Sequence, residues 1–232
     1  MSSLQHVEHK LFDRRVAWEA IDAALARQQP RALDLIREAC LIEAYFGPYA
    51  SQMMQLFWYD VEATTMFAIE SFEAYTHYYL LRRYLDTIQY RPVTDAEIVK
   101  LRQRDRGVAH TDEIQELVNF MLTEHVAAHF FREVAELTPE PVLRLMLQQL
   151  SAEEVVHSQF AFDLLSKRLT RDPHLKSAVL AAAQNFHHIG SYVLPQVSTA
   201  KEDNLKKIQS MNLRLEQLVG QRLSDAVAES AV

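Results

Sequence analysis

Leu150-Ser151-Ala152-Glu153-Glu154-Val155-Val156-His157 sets a glutamate and a histidine three residues apart in what otherwise reads as the oily side of a helix. At helical spacing the apolar stripe runs Leu143, Met146, Leu147, Leu150, is interrupted by Glu154 and His157, and resumes at Ala161 and Leu164. An i, i+3 pair leaves the same helix face. Three other segments repeat the anomaly. Glu124 breaks the stripe Leu117, Phe120, Met121, Ala128, Phe131, Ala135. Glu70, Glu73 and His77 interrupt Tyr59, Ala63, Met66, Leu80, Tyr84, and Glu43 follows Leu33, Ile36, Cys40 just before Gly47. Four helices thus carry acid on faces that should be dry.

A lone buried carboxylate costs several kcal/mol or takes up a proton. Several converging carboxylates repel unless a positive charge sits among them. No lysine or arginine occupies these stripe positions. A divalent metal pair would neutralise the acids and account for both histidines, and oxygen with imidazole donors suits iron or manganese. The competing reading is a metal-free polar core of buried Glu–His hydrogen bonds.

Helix breakers bound the elements. The pattern predicts helices near 10–27, 31–46, 49–88, 94–104, 112–137, 140–169, 173–193 and 200–222. Pro139 and Pro141 suit a first helical turn, and Asp172 suits an N-cap before Pro173. The fold expected over residues 1–232 is all-α: one domain, a four-helix bundle core with flanking helices and a fraying tail near 223–232. Four glycines among 232 residues speak against sandwiches, barrels and Gly-rich nucleotide loops. The single Cys40 excludes a disulfide framework and a Cys-rich zinc site. The net charge of −7 speaks against a general nucleic-acid binder. No apolar run reaches the ~18 residues of a membrane span, and the N-terminus is polar. A soluble, cytoplasmic protein is expected.

The ligand pattern matches the rule for ferritin-like di-iron bundles, a Glu from each of two helices and a Glu/His set from each of the others. More specifically, the chain from about Ile42 to Val197 resembles the soluble acyl-carrier-protein (ACP) desaturases. Glu153-Glu154-Val-Val-His157 looks like their second acid-acid-x-x-His motif, and Phe120-Met-Leu-Thr-Glu124-His-Val-Ala-Ala like the helix with the lone bridging Glu. Ile42-Glu43-Ala-Tyr resembles the first ligand helix, and His77 to Leu85 the stretch opening at the first ligand His. The resemblance implies two iron ions held by Glu43, Glu70 or Glu73, His77, Glu124, Glu154 and His157. It also implies O₂-dependent desaturation or hydroxylation of an acyl chain or similar carrier-bound group, a ferredoxin-type electron donor and a homodimer.

Two positions depart from the family pattern. Three before His77 stands Ala74 rather than an acid, so either Glu70, or Glu73 through a π-bulge, replaces that ligand, or this half of the site is weak and the protein holds one metal or none. Ala127 stands where the desaturases carry a threonine. A desaturase reading predicts a long apolar cavity beside Glu124 and Glu154. A di-iron monooxygenase or N-oxygenase acting on a free small molecule predicts a shorter, more polar pocket. A non-catalytic relative with a degenerate site predicts no metal. His125 and His129 read as a polar flank, and Arg82, Arg83, Lys167, Arg168 and Arg171 as a solvated face that could meet an acidic carrier.

Overall fold

The computed structural model describes residues 16–105, 109–200 and 205–223. The start of the helix expected over 10–27, Gly107 and most of the C-terminal tail lie outside them. Eight α-helices are present and no strand among the described residues. They are α1 (Ala23–Ala26), α2 (Pro30–Leu56), α3 (Val61–Thr87), α4 (Asp95–Arg102), α5 (Glu113–Leu137), α6 (Pro141–Arg171), α7 (Leu175–Gln184) and α8 (Leu205–Val219). Short 3₁₀ turns lie at Trp18–Ala20 and Ile189–Tyr192.

The starts of the long helices are chemically specified. Asp60 caps α3 by accepting from Ala63 N–H, and Asp112 caps α5 by accepting from Ile114 and Gln115 N–H. Proline occupies the first turn of α2 and of α6. Arg168 ties three ends together, donating to Asp60 and to Glu113, each at 2.8 Å. That arginine is engaged inside the fold, which removes it from the basic face expected of the sequence.

Helices α2 and α3 form one antiparallel pair, α5 and α6 the other, and the two pairs pack into the bundle. Ser151 and Ser158 on α6 donate to the carbonyls of Ala128 and Met121 on α5. These small side chains let the two helices approach closely on both sides of Glu154. The core falls into two apolar clusters. One holds Leu33, Ile36, Cys40, Leu81, Tyr84, Phe131 and Leu147; the other holds Tyr49, Met53, Phe67, Leu117, Phe120, Met121 and Leu165. The layer between them contains the acids and histidines that interrupt the stripes.

Three boundaries differ from those read in the sequence. Pro48 does not end a helix: α2 runs straight through it to Leu56, and the break comes at residues 57–60. A proline inside a helix leaves the carbonyl four residues back without its N–H partner. Here that carbonyl belongs to Ala44, and the Arg102 guanidinium on α4 donates to it through Nε and Nη2. Because the break is at 57–60, Tyr59 belongs to a turn and is almost fully exposed rather than part of a buried stripe. The helix expected over 173–193 stops at Gln184, where His187 N–H turns to Asn119 Oδ1 and Ile189 N–H to Thr123 Oγ1 on α5. Asp172 closes α6 and accepts from His174 N–H.

Candidate metal centre

Each ligand position follows from helical geometry. An α-helix turns about 100° per residue, so Glu70 and His77, seven apart, project from nearly the same line along α3. Glu154 and His157 share a face of α6, and Glu43 and Glu124 face them from α2 and α5. All six side chains are buried, His77 and His157 completely. They form two groups whose ligand atoms lie within 4.8 Å of one another: Glu70, Glu124, Glu154 and His157, and Glu43, His77 and Glu154. Glu154 is common to both.

The two imidazoles are arranged alike. Their ring centroids are 5.8 Å apart and the planes differ by 30°. Both Nδ1 atoms point into the acid cluster. His157 Nδ1 is 2.7 Å from Glu154 and 3.0 Å from Glu70; His77 Nδ1 is 2.9 Å from Glu154 and 3.8 Å from Glu43. Both Nε2 atoms point away and donate to a carboxylate on the opposite helix, His77 to Glu153 at 2.8 Å and His157 to Glu73 at 2.5 Å. Each of these outer acids stands four residues before its own helix's histidine, so the relation is reciprocal.

Six of the seven acids and histidines expected as ligands converge. Glu73 does not join them. Helix α3 is α-helical throughout, with no π-bulge to swing Glu73 inward, and its half-exposed carboxylate sits behind the His157 ring. Glu70, not Glu73, joins the cluster on the α3 side, where Ala74 lacks an acid. Glu153 was not expected to act. Its signal is the spacing Glu153-x-x-x-His157, which repeats Glu73-x-x-x-His77. Carboxylates that hold the far nitrogen of a metal-binding histidine fix its tautomer and orientation. Glu73→Gln and Glu153→Gln are each expected to weaken metal affinity about 10- to 100-fold, measured by competition against a chromophoric chelator.

The electrostatics describe a cluster short of positive charge. Burial, reinforced by repulsion from Glu154, raises Glu43 and Glu124 well above the usual carboxylate range. Burial also lifts Glu70 to about 7 against the pull of His157. Burial opposes ionisation of Glu154 too, but the two histidines outweigh it and hold that carboxyl below its ordinary range. Burial likewise disfavours the imidazolium forms, yet Glu70, Glu154 and Glu73 raise His157 to about 11, and Glu154, Glu153 and Glu43 raise His77. Three buried atoms at the centre, Glu70 Oε2, His77 Nδ1 and Glu124 Oε1, make no well-aligned hydrogen bond, although Glu70 Oε2 lies 3.0 Å from His157 Nδ1 and His77 Nδ1 lies 2.9 Å from Glu154. Buried polar groups are normally satisfied. Cations between the acids would satisfy all three and replace the protons, so these residues fit a hard, oxygen- and imidazole-binding metal.

The other histidines lie elsewhere. His125 and His129 approach Ser210 Oγ on α8 at 2.8 and 3.2 Å, a polar flank covered by the C-terminal helix. His188 accepts from Gly190 N–H through Nδ1, and burial pushes its pKa down to about 4. An unfolded histidine titrates near 6.5, so on acidification the unfolded chain takes up this proton first. The stability held by neutral His188 is therefore complete above pH 6.5 and is lost as pH falls from 6.5 towards 4. Since the ring is partly exposed, urea unfolding at pH 5 should show a loss of about 1–2 kcal/mol relative to pH 7.5 that His188→Asn lacks.

A narrow cavity of about 50 Å³ opens beside Glu43 and Glu124 between α2 and α5. Ile42, Phe46, Ala127 and Phe131 line it, and Glu38 closes it by accepting from Ser198 N–H and Oγ–H at 2.5 and 2.6 Å. This cavity is small rather than the long apolar one expected beside Glu124 and Glu154, and Phe46, Phe130 and Phe131 stand in its wall. No described helix is long and apolar enough to cross a membrane. Compared with protein families, curated proteins and solved structures, the chain matches none at a significant level.

Proposed function

We propose that this protein is a di-iron oxidase, using O₂ to desaturate or hydroxylate an acyl chain or similar substrate. The observation that carries the reading is the convergence of four buried carboxylates and two histidine Nδ1 atoms into two groups sharing Glu154. A metal-free core built for Glu–His hydrogen bonds would be expected to align them, yet Glu70 Oε2, His77 Nδ1 and Glu124 Oε1 make no well-aligned hydrogen bond. Two ions per chain, and iron as their identity, belong to the proposal. So do a ferredoxin-type donor, a homodimer and a cytoplasmic location, all supported by the resemblance to ACP desaturases and by the composition.

Bound iron would supply redox chemistry: electrons for O₂ and oxidising power towards a C–H bond. The chain does the rest. Glu43, Glu70, Glu124 and Glu154 would hold the ions and offset their charge. Glu73 and Glu153 lock the imidazole rings. The two apolar clusters keep bulk water from the layer. The cavity beside Glu43 and Glu124 has room for a molecule of about the size of water or O₂. Desaturation removes two hydrogens from the substrate, and an external donor supplies two electrons and solvent two protons, so that O₂ leaves as two waters.

The test is a single-turnover O₂ uptake measurement on anaerobically iron-loaded, reduced protein. The proposal expects one O₂ consumed per two irons and none by Glu154→Ala. Iron that binds without consuming O₂ would refute the oxidase reading.

A further inference from the structure

A second cavity with a wall in the metal layer opens on the other side of Glu43. A groove of about 540 Å³ lies between α2, α3 and α4, a volume within the range of small-molecule sites. Its floor is made of small residues, Ala44 and Gly47 on α2 and Ala68 and Ser71 on α3, and Phe72, Tyr75 and Ile98 give it apolar walls. Glu43 reaches it from the metal layer. That carboxylate is more than nine-tenths buried, with His77 Nδ1 at 3.8 Å and Glu154 within 4.8 Å as its charged neighbours in the metal layer.

Two features show a built cavity. Helix α4, its roof, is fastened near its start by Arg37, which donates to both Glu97 oxygens at 2.8 and 2.6 Å and to the Arg91 carbonyl. It is fastened at its end by Arg102, which takes the Ala44 carbonyl that Pro48 leaves free. Gly47, second, is costly: glycine inside a helix destabilises by about 1 kcal/mol relative to alanine. Packing does not require it, because a Cβ there would meet only Ser71 Oγ, at an ordinary 3.8 Å. What glycine preserves at that point is open space one turn from Glu43.

The polar groups on the lining define the ligand. Asp95 is already paired with Arg82 at 2.8 Å. Arg102 donates only to a neutral carbonyl, and among the described residues no carboxylate pairs with its charge. It is exposed, and a guanidinium has five N–H donors, so donors remain for an anion. We propose that this groove binds the organic substrate, a molecule with an apolar body directed at Glu43 and an anionic head held by Arg102. The assignment of this ligand as substrate rests on the di-iron reading; its binding does not.

The test is fluorescence titration of the full-length protein with dansyl-undecanoate and with its uncharged methyl ester, with and without anaerobic ferrous iron. Gly47→Leu, which fills the floor without a backbone clash, should weaken the acid probe at least tenfold while melting temperature and iron uptake are kept. Arg102→Gln should weaken the acid at least tenfold and the ester less than twofold. Acid binding unchanged in Gly47→Leu would overturn the location. Equal loss of acid and ester in Arg102→Gln would overturn the anion assignment and leave Arg102 as a brace for α4. If iron fails to bind while the probe still responds to Gly47→Leu, the di-iron reading falls and the groove stands as a binding site.

Discussion

Glu154→Ala should abolish tight binding of both metal ions, whereas His129→Ala should leave binding at the level of the unaltered protein. Glu154 alone belongs to both ligand groups, with one oxygen 2.9 Å from His77 Nδ1 and the other 2.7 Å from His157 Nδ1. Removing it takes an anionic ligand from each ion and leaves both imidazoles without the carboxylate nearest to Nδ1. His129 is also a histidine on a bundle helix, but it turns to Ser210 and Arg132. Iron retained per chain after gel filtration under anaerobic conditions separates the two variants. Equal retention would refute the ligand assignment. Glu154→Ala should not prevent folding, since it also removes a charge from a crowded acid layer, and circular dichroism checks this.

The second large effect is on stability. Glu140→Ala should lower stability by about 3 kcal/mol, combining a lost helix cap of ~1 kcal/mol with buried donors left unsatisfied. Glu140 is completely buried at the start of α6. It accepts from Val142 and Leu143 N–H at 3.1 and 2.7 Å and from the Tyr84 hydroxyl at 3.0 Å. Alanine would strand all three donors in a dry environment. The melting temperature should fall by about 6–12 °C for a chain of this size. Glu140→Gln keeps an acceptor oxygen and should lose less. Tyr84→Phe in the alanine background should restore part of the loss, because it removes one of the stranded donors.

Much of the site was legible because metal ligands must break a hydrophobic stripe. Glu124 and Glu154 stand where Leu or Phe would pack, and the residues around them, from Leu117 to Ala135 and from Leu143 to Leu164, are buried as the periodicity required. The choice between Glu70 and Glu73 was not legible. Both lie within 60° or so of the same face on a helical projection, and the packing of α6 against α3 decides which of them joins the acid cluster and which meets the His157 ring. Glu153 was legible only as part of the motif with Glu154, and its contact with His77 was not, because an outer acid on a half-exposed face has the hydropathy of any surface glutamate. Pro48 misled as a helix boundary because the group that rescues it, Arg102, lies 54 positions away in the chain. The groove was invisible for the same reason: α2, α3 and α4 form it only by tertiary packing.

The central claim is that this bundle holds a pair of metal ions in its acid layer. The most direct measurement is the metal content of the full-length protein after anaerobic reconstitution with ferrous iron and removal of loosely held metal. The account predicts two irons per chain bound at the cluster. One iron, or none, would contradict it: one would show that the half formed by Glu43 and His77 cannot hold an ion, and none would show that the acid layer is a polar core carrying protons alone.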